Sequence, residues 1–126
     1  MAAFSREVLD AARDQREVRL TTRGRVSGKP RRVTIWISTD GKHLYVRSGA
    51  GMKRDWPQNL TASGHAELQM GGLMVKVRAE RIGDPGQARA VSELHRAKYG
   101  TNVKPSKTAD PLTPGEQATF ELLPAG

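Results

Sequence analysis

Between Arg31 and Thr39 apolar and polar residues alternate without a fault, Val33, Ile35 and Ile37 on one side and Arg32, Thr34, Trp36 and Ser38 on the other. A period of two is the signature of a strand that buries one face and exposes the other. Asp40-Gly41 follows as a strong tight-turn signal, and Lys42 to Ser48 then returns with Leu44 and Val46 inward and His43, Tyr45 and Arg47 outward. A chain built around such a hairpin is committed to antiparallel β-structure. The polar face also carries an indole, Trp36, which needs a cover: a ligand, a second subunit or a helix of the same chain would serve.

The flanking segments extend this hairpin into a meander. Glu17 to Thr22 alternates Val18 and Leu20 against Arg19, and predicts a half-buried strand. The turn Gly24-Arg25-Val26-Ser27-Gly28-Lys29-Pro30 has a superficial likeness to a phosphate-binding P-loop. Its glycine spacing is one residue short and Pro30 stands where Ser or Thr belongs, so we read it as a basic hairpin turn. His65 to Met70, the Gly71-Gly72 turn and Leu73 to Ile82 form a second hairpin, and Gln117 to Leu123 turns Ala118, Phe120 and Leu122 inward as a last strand. Sequential short hairpins point to a small antiparallel barrel.

Three helices are signalled around it. Ser5 caps a helix over about Arg6 to Gln15, with Phe4 and Leu9 at staple positions. Asp55 as N-cap, Pro57 in the first turn and Gln58 as reciprocal partner start a short helix that ends at Ser63-Gly64. Asp84-Pro85-Gly86-Gln87 opens a third helix, which runs to Tyr99 and stops at Gly100. We therefore expect one domain over residues 1–126, with an N-terminal helix within 1–16. A Pro-, Thr- and Lys-rich stretch over 101–116 has no periodicity and is expected to be a loop, and a mobile one.

Arg47 to Leu60 joins the central hairpin to the short helix through Gly49, Gly51, Lys53 and Arg54. One reading is an anion cradle, most naturally for a phosphate, made of loop N–H groups, a helix N-terminus and two cations. The other is a strand-to-helix connection with solvated charges, in which Asp55 already satisfies the helix N–H groups. Taken alone, the stretch supports both equally.

Charge widens the choice of partners. Net charge is +8, and eight basic residues crowd between Arg13 and Arg32. Such a field attracts DNA, RNA, an anionic membrane surface or a polyanionic small molecule. Two Trp, two Tyr and two Phe are thin material for stacking single-stranded nucleic acid, so that partner ranks last. With no Cys there is no disulfide, thiolate metal site or Cys nucleophile. The opening residues lack a signal-peptide core and no apolar run reaches the length of a membrane span, which gives the expectation of a cytoplasmic protein.

Order and spacing then match something familiar. The run Arg32-Val33-Thr34-Ile35-Trp36, the Asp40-Gly41 turn, Leu44-Tyr45-Val46-Arg47-Ser48, Gly51-Met52-Lys53 and Trp56-Pro57-Gln58-Asn59-Leu60 resembles the flavin- and deazaflavin-binding split-barrel superfamily, of pyridoxamine-phosphate-oxidase type. It is similar to the deazaflavin-dependent nitroreductases, and closer still to an uncharacterised sister family marked by Ala97-Lys98-Tyr99 and Ala118-Thr119-Phe120. The resemblance covers Glu17 to Leu123. It implies a mainly β fold with flanking helices, a six-stranded antiparallel split β-barrel of the FMN-binding type.

It also implies a site. In that superfamily the cofactor ring lies against the strand that corresponds to Arg32, Thr34, Ile35 and Trp36, and the phosphate under the loop that corresponds to Ser48, Gly49, Gly51, Lys53 and Arg54. Trp56 and Asn59 match the short-helix pattern, Trp as its anchor and Asn turned towards the cofactor. Two departures stand out: Thr34-Ile35 replaces the nitroreductases' usual Pro-Leu pair, and Ala50 separates glycines that are consecutive there. The implied cofactor is coenzyme F-420 or FMN. The implied function is an oxidoreductase passing hydride to a small organic acceptor such as a quinone, nitroaromatic or unsaturated compound, in a homodimer with the cofactor at the subunit interface. A split barrel that holds or sequesters a cofactor without turnover is the alternative, and a basic nucleic-acid-binding protein the second.

The cofactor carries the chemistry of hydride transfer, so the lack of a Ser-His-Asp or metal-ligand cluster is no objection. His43, His65 and His95 are widely separated in sequence and read as surface or packing residues, and no metal site is expected. Tyr45, Tyr99 and Trp36 are candidates for a substrate pocket, more commonly packing at such positions. The sequence names no catalytic proton donor.

Overall fold

The computed structural model describes residues 3–100, 103, 106, 107 and 110–125. Helix α1, Arg6–Asp14, starts where Ser5 Oγ accepts from Val8 N–H, and buries Ala12. Strands β1, Val18–Arg23, and β2, Pro30–Ile35, form an antiparallel hairpin closed by Gly24 N–H donating to Lys29 O at 2.9 Å. Strand β3, Ile37–Thr39, continues the same run after a break at Trp36 and pairs with β4, Leu44–Arg47. A 3-10 turn at Gly51–Lys53 leads into α2, Asp55–Ser63, which ends on Gly64 in the left-handed region at φ 72°. Strands β5, His65–Met70, and β6, Leu73–Arg81, precede α3, Pro85–Tyr99, whose N-cap Asp84 accepts from Gln87 N–H at 2.8 Å. A short helix α4, Pro114–Gln117, leads into β7, Thr119–Pro124.

All pairings are antiparallel, and the strand order is β2-β1-β5-β6-β7-β4-β3. The two edge strands are consecutive in sequence, separated by Trp36 alone. The sheet therefore curls round until one chain segment serves both edges, and the result is a barrel split between β2 and β4. The expected six strands appear as seven segments because Arg31 to Thr39 changes partner at Trp36.

Side chains of α3 hold that break. Tyr99 Oη accepts from Ile37 N–H at 3.0 Å and lies 2.7 and 2.9 Å from the carbonyls of Arg16 and Ile37, one of which takes its proton. Lys98 Nζ donates to the carbonyls of Ala12, Gln15 and Ile37. Strand β3, α3 and the end of α1 are thus tied at one point. Burial pushes the Lys98 ammonium down to about 8, with Arg16 adding to the shift and Asp14 opposing it.

The barrel interior is filled by Leu20, Ile37, Leu44, Leu60, Leu68, Phe120 and Leu122, all nearly inaccessible. Each buried Leu contributes about 1.5–3 kcal/mol. Tyr45, expected to face outward, does leave the barrel interior but is covered by α3 in a second cluster with Ile82, Ala88 and Val91. The cover needed for the second face is a helix of the same chain.

Three local expectations are corrected. Asp55 is not the N-cap of α2; Arg54 holds that position without a side-chain cap, and Asp55 stands exposed in the first turn, 3.5 Å from Arg25. Gln58, instead of closing a capping box, donates to Met52 O at 2.8 Å. The turn after β3 spans Asp40 to His43, where Asp40 Oδ1 accepts from the N–H groups of Lys42 and His43. The stretch expected as loop over 101–116 ends in α4, set by a capping box of Thr113 and Glu116; residues 101, 102, 104, 105, 108 and 109 lie outside the described residues.

Candidate cofactor cavity

Where β2 and β4 part, a cavity of about 660 Å³ opens. One wall is the end of β2 and the break, Val33 to Trp36, and the opposite wall is the end of β4 and its loop, Arg47 to Ala50. The start of α2 contributes Arg54 and Trp56, α3 contributes His95, and Thr113 to Gly115 close the side at α4. The volume falls within the range of small-molecule and cofactor sites.

Sequence explains how these elements converge. Gly51 holds φ 84°, and a Cβ there would come within 3.1 Å of Pro114 Cβ, so only glycine lets the loop after β4 pack on α4. Trp56 is 7% exposed and packs on Phe120 of β7, which fixes the start of α2 to the barrel. Trp36 lies parallel to Tyr99, ring centroids 4.1 Å apart, so one face of the indole is occupied and the side chain still borders the cavity. Gly49 borders it too, with nothing within 4 Å of a Cβ placed there.

The site is electropositive. Arg47 and Arg54 line it, and among its described lining residues there is no Asp or Glu. Arg47 leaves the strand towards α3, where Nη1 donates to Ser92 Oγ at 2.8 Å and Nη2 to Ala88 O at 3.1 Å. Its Nε is buried without a partner. Burial lowers the guanidinium to about 10, and the negative charge of Glu116 opposes the shift.

Glu116 sits behind this contact, wholly buried. Its Oε2 accepts from Ser92 Oγ at 2.8 Å and from Ser106 N–H, and its Oε1 from Thr113 N–H at 3.0 Å. Burial alone would push the carboxyl up, but the hydrogen bonds from Ser106, Thr113 and Ser92 outweigh it and hold it at about 2. A relay of Arg47, Ser92 and Glu116 thus ties β4, α3 and α4 around the cavity.

His95 borders the cavity but is only 1% exposed, with Nδ1 2.7 Å from Ser38 Oγ and Nε2 buried without a partner. Burial, with the charges of Arg47 and Lys98 adding to it, lowers its pKa from 6.5 to about 3; a hydrogen bond to the Val91 backbone opposes. The imidazole is neutral at physiological pH. Among the described residues no three His, Asp or Glu side chains group as metal ligands.

Residues 8–122 match a family described as an uncharacterized protein conserved in bacteria, DUF2255. The chain belongs to the DUF2255 family. No curated protein matches it. Solved structures do: a conserved hypothetical protein from Mycobacterium tuberculosis is 16% identical, with a TM-score of 0.72 and coverage of 100% of this chain and 83% of the other. HutZ, the haem storage protein of Vibrio cholerae, is 12% identical, with a TM-score of 0.68 over 95% and 89% of the two chains. An F-420-H2-dependent reductase is 21% identical, with a TM-score of 0.64 over 85% and 93%. These likenesses show the split-barrel fold for this DUF2255 chain.

Seven of the residues carried over by resemblance line the cavity of this DUF2255 protein: Thr34, Ile35, Trp36, Ser48, Gly49, Arg54 and Trp56. Four lie elsewhere. Arg32 is exposed on β2 and Lys53 is exposed in the 3-10 turn. Gly51 packs on Pro114, and Asn59 is buried with Oδ1 accepting from Arg25 N–H and Nη1. Sequence reasoning did not single out the α4 wall, and it set His95 aside as surface or packing. A polar Ser92 and His95 on the same α3 face as Ala88, Val91 and Tyr99 was the available signal.

The Arg13 to Arg32 cluster is partly engaged within the chain. Arg13 pairs with Asp10 and Asp14, Arg23 with Gly28 O, Arg25 with Asp55 and Asn59, and Arg16 lies 5.3 Å from the Tyr99 ring centre. No helix among the described residues is long and apolar enough to cross a membrane.

Proposed function

We propose that this DUF2255 protein is a flavin- or deazaflavin-dependent oxidoreductase, which uses FMN or coenzyme F-420 to deliver hydride to a small organic acceptor such as a quinone, nitroaromatic or unsaturated compound. The observation that carries this reading is the cavity at the barrel split, with Val33, Ile35, Trp36 and Trp56 for a planar ring and Arg47 and Arg54 for negative charge. The lining fits the group: Arg47 and Arg54 supply positive charge and Ser48 a hydroxyl beside the cavity, with no carboxylate among its described lining residues. The uncapped start of α2 and the open space at Gly49 leave room for a phosphate beside Arg54. The bound cofactor would supply the hydride. The chain's own part is to seat the ring against Trp36 and to hold water out with α4 and Trp56. Exposed cations steer and select a polyanionic cofactor more than they anchor it, at about 0.2–1 kcal/mol each.

A second reading, a barrel that holds its cofactor without turnover, is favoured by one observation. The histidine at the cavity is neutral and reluctant to protonate, so it supplies no acid at neutral pH. Stoichiometric binding with no reduction of quinones or nitroaromatics would select this alternative.

Fluorescence titration of the purified protein with FMN and with F-420 tests the primary reading. The Gly49→Trp variant, at a cavity-lining position where an added Cβ meets nothing within 4 Å, should weaken binding by roughly 100-fold or more, equivalent to about 3 kcal/mol, and shift Tm little. Unchanged affinity in that variant removes the cavity as the site. The reading includes a homodimer, with a second copy covering the exposed mouth at Thr34. Sedimentation at micromolar concentration should give the dimer mass, and a monomer would count against that arrangement.

A further inference from the structure

Between Glu17 and Asp40 the chain carries no acidic residue and six basic ones, Arg19, Arg23, Arg25, Lys29, Arg31 and Arg32. The β1–β2 hairpin gathers four of them at its end. Arg23 stands opposite Pro30 and Thr22 opposite Arg31, so Arg23 and Arg31 project from opposite faces of the ribbon. Arg25 and Lys29 lie in the connection itself. Among the described residues only Arg25 of the six has a carboxylate within 4.0 Å, Asp55 at 3.5 Å.

Val26 occupies the middle of that turn and is 93% exposed. One exposed valine is ordinary in itself; its setting is not. The turn is firmly built: Gly24 N–H donates to Lys29 O at 2.9 Å, Gly28 N–H to Gly24 O at 2.8 Å, Lys29 N–H to Ser27 Oγ at 3.2 Å and Arg23 Nη1 to Gly28 O at 3.1 Å. Its base is clamped to α2, where Asn59 Oδ1, on a residue 2% exposed, accepts from Arg25 N–H and Nη1 at 3.1 and 2.9 Å. The apex is therefore held out from the barrel, apolar at its tip and cationic on both faces behind it.

We propose that residues 24–29 dock the protein end on to an anionic lipid surface. Val26 enters the interface, and Arg23, Arg25, Lys29 and Arg31 meet the headgroup phosphates and carboxylates around it. A nucleic acid would satisfy the cations, but it gives the apolar tip nothing to enter, and residues 24–29 hold no aromatic on which a base could stack. The proposal is independent of the cofactor reading, and its test needs no cofactor.

The whole protein is sedimented with vesicles of phosphatidylcholine containing phosphatidylserine, and with vesicles of phosphatidylcholine alone. Binding is expected to the first and not to the second. The exposed pair Lys29→Gln with Arg31→Gln should weaken it by about 25-fold, roughly fivefold for each charge at the surface. Lys42→Gln with Lys76→Gln removes the same charge from exposed positions outside the hairpin and should stay within about threefold. Val26→Ser keeps every charge and should cost about tenfold. Because the chain has no Cys, Val26→Cys takes a single polarity-sensitive fluorophore, whose emission should move to the blue when vesicles are added. The same dye at Lys76→Cys should not move. Circular dichroism confirms the fold of each variant, and the labelled protein stands as a test if one of the others does not fold.

No binding of the unmodified protein to the anionic vesicles overturns the proposal. Equal losses from the two lysine-containing pairs overturn it as well, since the attraction would then be diffuse. Full affinity in Val26→Ser, or a label at residue 26 that stays in water, leaves no apolar docking tip. Tighter binding to a DNA duplex than to the vesicles at the same salt would assign the cations to nucleic acid instead.

Discussion

Replacing Glu116 by Ala is expected to destabilise the fold by about 3–5 kcal/mol, because it strips the partner from a buried charge. The carboxylate is wholly buried and receives Ser92 Oγ–H, Ser106 N–H and Thr113 N–H. Without it, Ser92 must satisfy Arg47 alone, and the α4 capping box is lost. A chain of this size should lose roughly 10–20 °C of Tm. Because Arg47 is the charge left uncompensated, the double variant Glu116→Leu with Arg47→Met should recover much of the loss. Calorimetry of the single and double variants measures this, and additive losses would show that the two groups do not form one unit.

The second large effect is acid sensitivity above the range in which carboxylates titrate. His95 has its folded pKa lowered from 6.5 to about 3, so between those values the unfolded chain binds a proton that the folded chain refuses. Stability present above pH 6.5 is lost as the pH falls, by about 1.4 kcal/mol per unit once below that value. The groups that oppose protonation are the charges of Arg47 on β4 and Lys98 on α3, on top of burial. From pH 6.5 to 4.5 the loss should reach about 2.3 kcal/mol. Glu116 acts in the next window: with its pKa lowered from 4.5 to about 2, its contribution is present above 4.5 and fades below. Urea unfolding at stepped pH separates the two. His95→Gln should flatten the upper window and leave the lower one, and an unchanged slope would refute the assignment.

How much of this was legible in the chain depends on the range of the signal. Ser5 and Asp84 cap their helices where the sequence indicates, and Gly64 and Gly100 end theirs, because caps are set by neighbours within three or four residues. The strand from Arg31 to Thr39 was legible as one strand, but not its break. Alternation passes through Trp36 undisturbed; the break comes from Tyr99 and Lys98, some sixty residues on, taking the Ile37 backbone.

Asp55 misled because an acid followed by Trp-Pro-Gln imitates a cap one residue late, and in the fold its charge turns to Arg25. That removes the objection that Asp55 blocks the helix start beside the cavity. Helix α4 is four residues long and lies among prolines, too short for any periodicity, although Thr113 and Glu116 do carry the capping-box spacing. The loop after β4 was legible as a site wall from its glycines and cations. The opposite corner was not, since His95 acquires meaning only from Ser38, which is remote in sequence.

The central claim is that the cavity at the split holds a flavin-type ring. Titration of the purified, unmodified protein with F-420 and with FMN, followed by fluorescence at low and moderate salt, tests it most directly. The account predicts saturable one-to-one binding of at least one of the two, tighter at low salt because Arg47 and Arg54 meet negative charge. Two flat titrations would contradict it.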